Sequence, residues 1–177
     1  MEKATELALL GEFASRLRYD DLPPKTVGLA KLAILNILGG IIVSDHAKLN
    51  PGRGSLMRYA ERIGAAPRAS IIGSRMKTSP ELAALVTSGS AMMAHGDDWS
   101  WPARTHLSSV VFPATLAVAE SEGRSGQDLV AAFVAGWEVA VRIGSAIKPV
   151  PDRKSPFTSP VHGLATSAVT SNLMRMD

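Results

Sequence analysis

The 177-residue chain contains no cysteine. That excludes disulfides, thiolate zinc sites and a cysteine nucleophile at once. Charge of one sign is also scarce. Nineteen Lys and Arg against sixteen Asp and Glu leave a net charge of +3, and no run of basic residues interleaves with aromatics, so no nucleic-acid partner is expected. A long, clean apolar run is missing as well. The best candidate, Val27 to Val43, is interrupted by Lys31 and Asn36 and carries Gly39-Gly40 near its end. It is too short and too polar for a membrane span and is expected to be a buried central helix. The N-terminal stretch Met1-Glu2-Lys3-Ala4-Thr5-Glu6 has acidic residues and no cleavable apolar region, so no signal peptide is expected and the cytoplasm is the default compartment.

What is present suits one domain, residues 1–177, long enough to bury a sizeable core. Apolar residues recur at helical spacing at Leu7, Leu10, Phe13, Ala14 and Leu17, ending near Asp20-Asp21-Leu22-Pro23-Pro24. Pro24 fits the first turn of a second helix running to about Ser44. A third, polar helix spans about Ser55 to Ile63. Ala69-Ser70-Ile71-Ile72-Gly73 is the one strand-like stretch. Ser79-Pro80-Glu81 reads as N-cap, first-turn proline and dipole-facing acid, opening a helix towards Met92, Met93 and His95. Another helix covers about Ser109 to Glu122, with Pro113 placed in or near its first turn. Ser125 and Asp128 form a capping-box pattern for a helix from Gln127 to Ile147, with Leu129, Phe133, Val134, Trp137 and Val141 as its core stripe. Lys148 to Pro160 holds four prolines and reads as a loop. Gly163 to Met176 is weakly helical. The expected fold is all-α, a multi-helix domain with one short strand-like segment.

Chemistry concentrates between Ala94 and Ser109. Two of the four histidines, His95 and His106, fall there with Asp97 and Asp98, and Gly96 and Pro102 break any helix through Thr105. Imidazole plus carboxylate is the minimal pairing for proton transfer near neutral pH, and loops between rigid helices are where catalytic groups gather. A purely structural alternative stands beside this. Asp97 and Asp98 can form a solvated turn, His95 can complement a helix dipole, and Trp99 and Trp101 can plug a gap. No helical His-x-x-x-His or cysteine pattern accompanies them, so no metal is expected. Glu138 and Arg142, one helical turn apart, read as a structural pair.

In order along the chain stand Leu22-Pro23, Leu38-Gly39, Ala69-Ser70-Ile71-Ile72-Gly73, Ser79-Pro80 with Ala83-Ala84-Leu85, and Ala94-His95 with Asp97-Asp98-Trp99. After them come His106-Leu107-Ser108-Ser109, Pro113-Ala114, Leu116-Ala117, Ala119-Glu120, Ser125-Gly126, Gly136-Trp137-Glu138-Val139 and Arg142-Ile143-Gly144. Together the series resembles the N-terminal helical part of the MmgE/PrpD family, which includes 2-methylcitrate dehydratase, cis-aconitate decarboxylase and iminodisuccinate epimerase. The resemblance implies a lyase or isomerase acting on a small polycarboxylate by moving a carbon-bound proton, with no cofactor. It places active-site roles on His106 and on Asp97 or Asp98, and because such chemistry needs cations to hold the substrate carboxylates, Arg104 or Lys154, with His95, are the candidates for carboxylate binding. Three departures accompany it. The family's Asp-aromatic-Asp-Asp-Thr run is replaced by Asp97-Asp98-Trp99-Ser100-Trp101-Pro102, a second family histidine would fall at Pro156, and Asn36 stands where the family commonly has Asp. His162, beside Gly163 at a helix start, reads as structural. Family enzymes also continue into further helices and a lid domain, whereas this chain stops at Asp177. The isolated chain is therefore expected to be an incomplete site, with a homodimer or a separately encoded second half as partner. The alternative is a non-catalytic remnant or helical dimerisation module.

Overall fold

A computed structural model describes residues 5–46, 49–93, 96–147 and 159–176. Among them are seven α-helices and one two-stranded sheet. The helices are α1 (Glu6–Arg16), α2 (Pro24–His46), α3 (Arg53–Ile63), α4 (Pro80–Met93), α5 (Ser108–Ser121), α6 (Gly126–Ala146) and α7 (Ser159–Met174), with a 3-10 turn at Tyr19–Asp21. The fold is all-α, as the periodicity predicts. One strand is added: β1 (Ala69–Ser70) pairs antiparallel with β2 (Lys77–Thr78). Lys77-Thr78 carries no apolar alternation, and only the turn through Gly73 brings it back to β1.

Helix ends follow local chemistry. Thr5 Oγ1 accepts from Ala8 N–H at the start of α1. At α6, Asp128 N–H donates to Ser125 Oγ and Ser125 N–H to Asp128 Oδ2, both at 3.1 Å, which is the reciprocal capping box expected from Ser125 and Asp128. The end of α1 is satisfied from far away. Buried Asn172 of α7 donates to the carbonyls of Ala14 and Leu17 at 2.7 and 2.9 Å, closing orphan acceptors that a helix end leaves. Pro113 falls in the second turn of α5 rather than the first, so that helix forgoes one internal hydrogen bond.

The core lies where α5, α6 and α7 meet. Phe112 and Phe133 stack edge to face at 6.5 Å, surrounded by Leu107, Val111, Val161, Val169 and Leu173. Gly136 permits the approach. A Cβ there would lie 2.7 Å from Val169 Cγ2 and 2.9 Å from Val111 Cγ1. A second cluster joins Ala60, Ile71, Leu82 and Val86. Nearby, the Arg53 guanidinium donates to Ser90 Oγ and to the Ile72 carbonyl, each at 2.7 Å, and lies 2.9 Å from Asp45 Oδ2. That ion pair is one of distance alone, since neither buried Asp45 oxygen has an aligned donor among the described residues.

Helix α2 departs from the sequence expectation. Val27, Ala30, Ile37, Ile41 and Ser44 are buried, but Leu29, Leu32, Leu35, Ile42 and Val43 are exposed. The helix packs on α4, α5 and α6 along one side only. Apolar residues around the whole circumference gave no signal of this, because one-sided burial depends on which elements pack against the helix.

Candidate functional site

The loop from Gly96 to Leu107 is held from four directions. Asn36 Nδ2 on α2 donates to the Gly96 carbonyl at 3.1 Å. Ser100 and Thr105 form an antiparallel bridge, Ser100 N–H to Thr105 O at 3.0 Å, and the Ser100 hydroxyl accepts from Ala103 N–H. This tight turn puts Arg104 at φ 52°, a left-handed conformation unusual for a side chain of that size. Against the turn lies α6, at Gly144. A Cβ there would come 2.5 Å from Ala103 Cα, so only glycine lets the backbone of α6 seat the loop. From the fourth side, α7 brings His162.

The two aspartates have different work. Asp98 turns to the start of α5, where Oδ1 accepts from Ser108 N–H at 3.1 Å and Oδ2 from Leu107 N–H at 3.4 Å. The residue at the N-cap position, Leu107, makes no side-chain cap. Asp98 thus supplies from a distance the carboxylate that the free N–H groups and the helix dipole favour. Asp97 turns the other way. Its Oδ1 lies 3.0 Å from His106 Nδ1, with the Asp97 side chain 6 % exposed and that of His106 49 % exposed. The edge of Trp99 meets the His106 ring at 4.9 Å. The contact is one of distance, and it places the carboxylate beside Nδ1, so that Nε2 is the nitrogen left for proton exchange.

A second imidazole joins this loop. His162 Nε2 lies 2.8 Å from Thr105 Oγ1, and Thr105 is itself buried. Burial holds the His162 pKa below its ordinary value. The His106 backbone carbonyl acts in the opposite sense, and the charge of His106 adds to the lowering. From the sequence, His162 beside Gly163 reads as structural. Its place is set by α7 starting at Ser159 and carrying it back over the turn, which no spacing within the chain announces.

Of the other sequence candidates, Arg104 is exposed beside the turn, and His95, Lys154 and Pro156 lie outside the described residues. Glu138 and Arg142 pair on the surface at 3.0 Å, apart from this loop. Cavities of about 700 and 590 Å³ lie between α1 and α6 and between α1 and α7. Neither is lined by a residue of the loop. No group of three or more His, Asp or Glu placed to hold a metal occurs among the described residues.

The model of the MmgE/PrpD N-terminal domain matches residues 8–177. The chain belongs to the MmgE/PrpD family. Similar proteins include cis-aconitate decarboxylase of Aspergillus terreus (strain NIH 2624 / FGSC A1156), 30% identical over 150 residues that cover 82% of this chain and 30% of that protein. Another is the cis-aconitate decarboxylase-like protein oryM of Aspergillus oryzae, 27% identical over 147 residues covering 79% of this chain and 30% of the relative. The chain therefore spans less than a third of the length of these curated relatives. Among the described residues, Asp97 and His106 on the loop before α5 stand together as a carboxylate and an imidazole.

Proposed function

We propose that this chain is the helical part of an MmgE/PrpD lyase acting on a small polycarboxylate, with the Asp97–His106 pair as its proton-transfer unit. The observation that carries the reading is the 3.0 Å contact between Asp97 Oδ1 and His106 Nδ1, a buried carboxylate under a half-exposed imidazole. In a decarboxylation, the bond from carbon to a carboxylate breaks and CO2 leaves. The electron pair left on carbon then takes the proton from His106 Nε2. In the reverse sense of proton flow, neutral His106 removes a carbon-bound proton beside an activating carboxyl. Asp97 stabilises the imidazolium in either case. The cis-aconitate decarboxylases among its relatives support a substrate of this class.

Arg104, His95 and Lys154 are the groups assigned to the substrate carboxylates, Arg104 by its bidentate fork. They do not make a whole site. The similarity covers 30% of the curated relatives, and we assign the remaining walls and cations to polypeptide outside residues 1–177, whether continuous with this chain or separately encoded. A second reading, a helical association module without catalysis, is favoured by one observation, the exposed apolar face of α2. The two readings part in a titration followed by NMR of the histidine rings. Cis-aconitate added to the chain together with the part of the Aspergillus terreus decarboxylase beyond the matched 150 residues should move the His106 resonances, and Asp97→Asn should abolish that response. A polycarboxylate series that leaves His106 unmoved sinks the lyase reading.

A further inference from the structure

The cavity of about 590 Å³ between α1 and α7 joins small residues to a group of arginines. Ala8, Gly11 and Ser15 lie at three- and four-residue spacing on α1, with Ser171 lining the same space from α7. Small side chains on both helices leave the gap open. Its charged lining is Arg16, Arg18 and Arg175 against a single acid, Glu12. Arg175 stands just past the end of α7 at φ 57°, a left-handed position that glycine would take without strain.

Each guanidinium is anchored by one terminal nitrogen. Arg16 Nη1 pairs with Glu12, and Arg175 Nη2 lies 2.6 Å from Asp128 Oδ1. Arg18 Nη1 donates to the carbonyls of Ser15 and Leu17 at 2.8 and 2.9 Å, and no carboxylate among the described residues pairs with its side chain. Nε and the second terminal nitrogen of all three therefore keep their donors without a protein partner among the described residues. Positive charge is crowded at Arg18. Burial lowers its pKa first and the charge of Arg175 next, with Arg124 adding to the lowering and Asp128 and Asp21 opposing it. An anion seated among these cations relieves their repulsion.

We propose that this cavity binds a small oxyanion of two or more negative charges, its phosphate or carboxylate oxygens taken by the forks of Arg18 and Arg175 with Arg16 beside them. Paired guanidinium donors match either group, and a volume of about 590 Å³ lies within the range of small-molecule sites. A single concavity suits a compact ligand, whereas an extended polyanion needs a basic stripe. The proposal is independent of the lyase reading. His162 stands in the first turn of α7 and Arg175 follows its last, so about 20 Å of helix separates this cavity from the loop of His106.

Isothermal titration calorimetry of the chain with inorganic phosphate, pyrophosphate and citrate, each against sodium chloride of equal ionic strength, should show saturable binding of at least one with a Kd below about 1 mM. The first two anions and citrate distinguish the phosphate source of the oxygens from the carboxylate source. Arg18→Gln should weaken that binding by more than about tenfold. Because Arg18 also holds carbonyls at the end of α1, a second variant leaves every arginine in place. Gly11→Leu starts from a Cβ that meets nothing within 4 Å, so it should fill the cavity and lose binding with the helical circular dichroism unchanged. His106→Ala should bind as wild type does. Heats no larger than the sodium chloride control for all three anions overturn the proposal, as does wild-type affinity in folded Arg18→Gln or Gly11→Leu. Loss of binding in His106→Ala overturns it in favour of the loop.

Discussion

The Thr105 hydroxyl and His162 Nε2 sit 2.8 Å apart, which joins the first turn of α7 to the loop carrying His106. Burial favours the neutral imidazole at His162, and its pKa is held below the ordinary histidine value. The consequence for stability has a definite sign. Between the lowered folded value and the unfolded value of about 6.5, the unfolded chain binds the extra proton, so stability is full above about pH 6.5 and falls as pH drops through that window. Urea midpoints measured from pH 7.5 to 5 should decline less steeply for His162→Gln than for wild type. Parallel slopes would mean that His162 is not the group protonated on unfolding.

Asp98 and Asp97 should separate under substitution. Asp98→Ala strips the carboxylate from the start of α5 and should cost about 0.5–2 kcal/mol, the range of lost N-caps. Asp98→Asn keeps an acceptor and should cost less. Asp97→Asn should have the smaller effect on unfolding but should alter the His106 ring signals. If Asp97→Ala is the costlier and only Asp98→Ala perturbs His106, the two assignments are exchanged.

Glycines in α-helices of this chain have opposite expectations according to what a Cβ would meet. Gly136→Ala forces a methyl against Val169, Val111 and the Ala165 carbonyl and should destabilise by about 1–3 kcal/mol through overpacking. Gly11→Ala on α1 meets nothing within 4 Å and should stabilise by about 0.5–1 kcal/mol by removing backbone entropy from the unfolded chain. Thermal or urea denaturation of the two variants side by side reads both signs. Equal shifts would show that the α6–α7 approach is looser than described.

Local signals were the ones that could be read along the chain. Ser125 with Asp128, Pro80 after Ser79, and the break at Gly96 to Thr105 each act within a few residues, and each sets an element boundary. Tertiary partners could not be read. Asp97 and Asp98 are adjacent and chemically identical, and only the position of α5 decides which one caps a helix and which meets His106. The same holds for α2, whose apolar circumference is compatible with full burial but meets other helices on one side. Arg53 illustrates a third case. It stands at the start of a polar helix, yet its guanidinium is largely buried between Asp45, Ser90 and Ile72, three partners that sequence spacing does not connect.

Removal of that guanidinium should be costly. Arg53→Ala leaves the Asp45 carboxylate largely buried with no cation among the described residues, and breaking one side of a buried pair costs about 3–5 kcal/mol when the pair is fully enclosed. With both side chains slightly exposed, at 15 and 11%, the lower end of that range is expected. Arg53→Lys should recover only part, since a single ammonium cannot reproduce the fork that reaches Ser90, Ile72 and Asp45 together. Asp45→Asn combined with Arg53→Ala removes the stranded charge and should be less destabilised than Arg53→Ala alone. Unfolding free energies that add for the two substitutions would deny the coupling.

Catalysis gives the most demanding expectation. Residues 1–177 alone should not turn over cis-aconitate, 2-methylcitrate or iminodisuccinate at enzymatic rates, because His106 and Asp97 can exchange a proton but have too few fixed cations to hold a polycarboxylate against them. Positioning of a substrate accounts for about 7–11 kcal/mol of a barrier in favourable cases, and a pair on an open loop forgoes most of it. Supplying the part of the Aspergillus terreus decarboxylase that lies beyond the matched 150 residues as a separate polypeptide should raise CO2 release from cis-aconitate above that of either piece, and His106→Ala should remove the gain. Turnover by residues 1–177 alone, abolished by His106→Ala, would mean that these residues supply the entire site. Restored activity that survives His106→Ala would move the proton-transfer role to another group, with His162, the imidazole that α7 brings against this loop, the next to substitute.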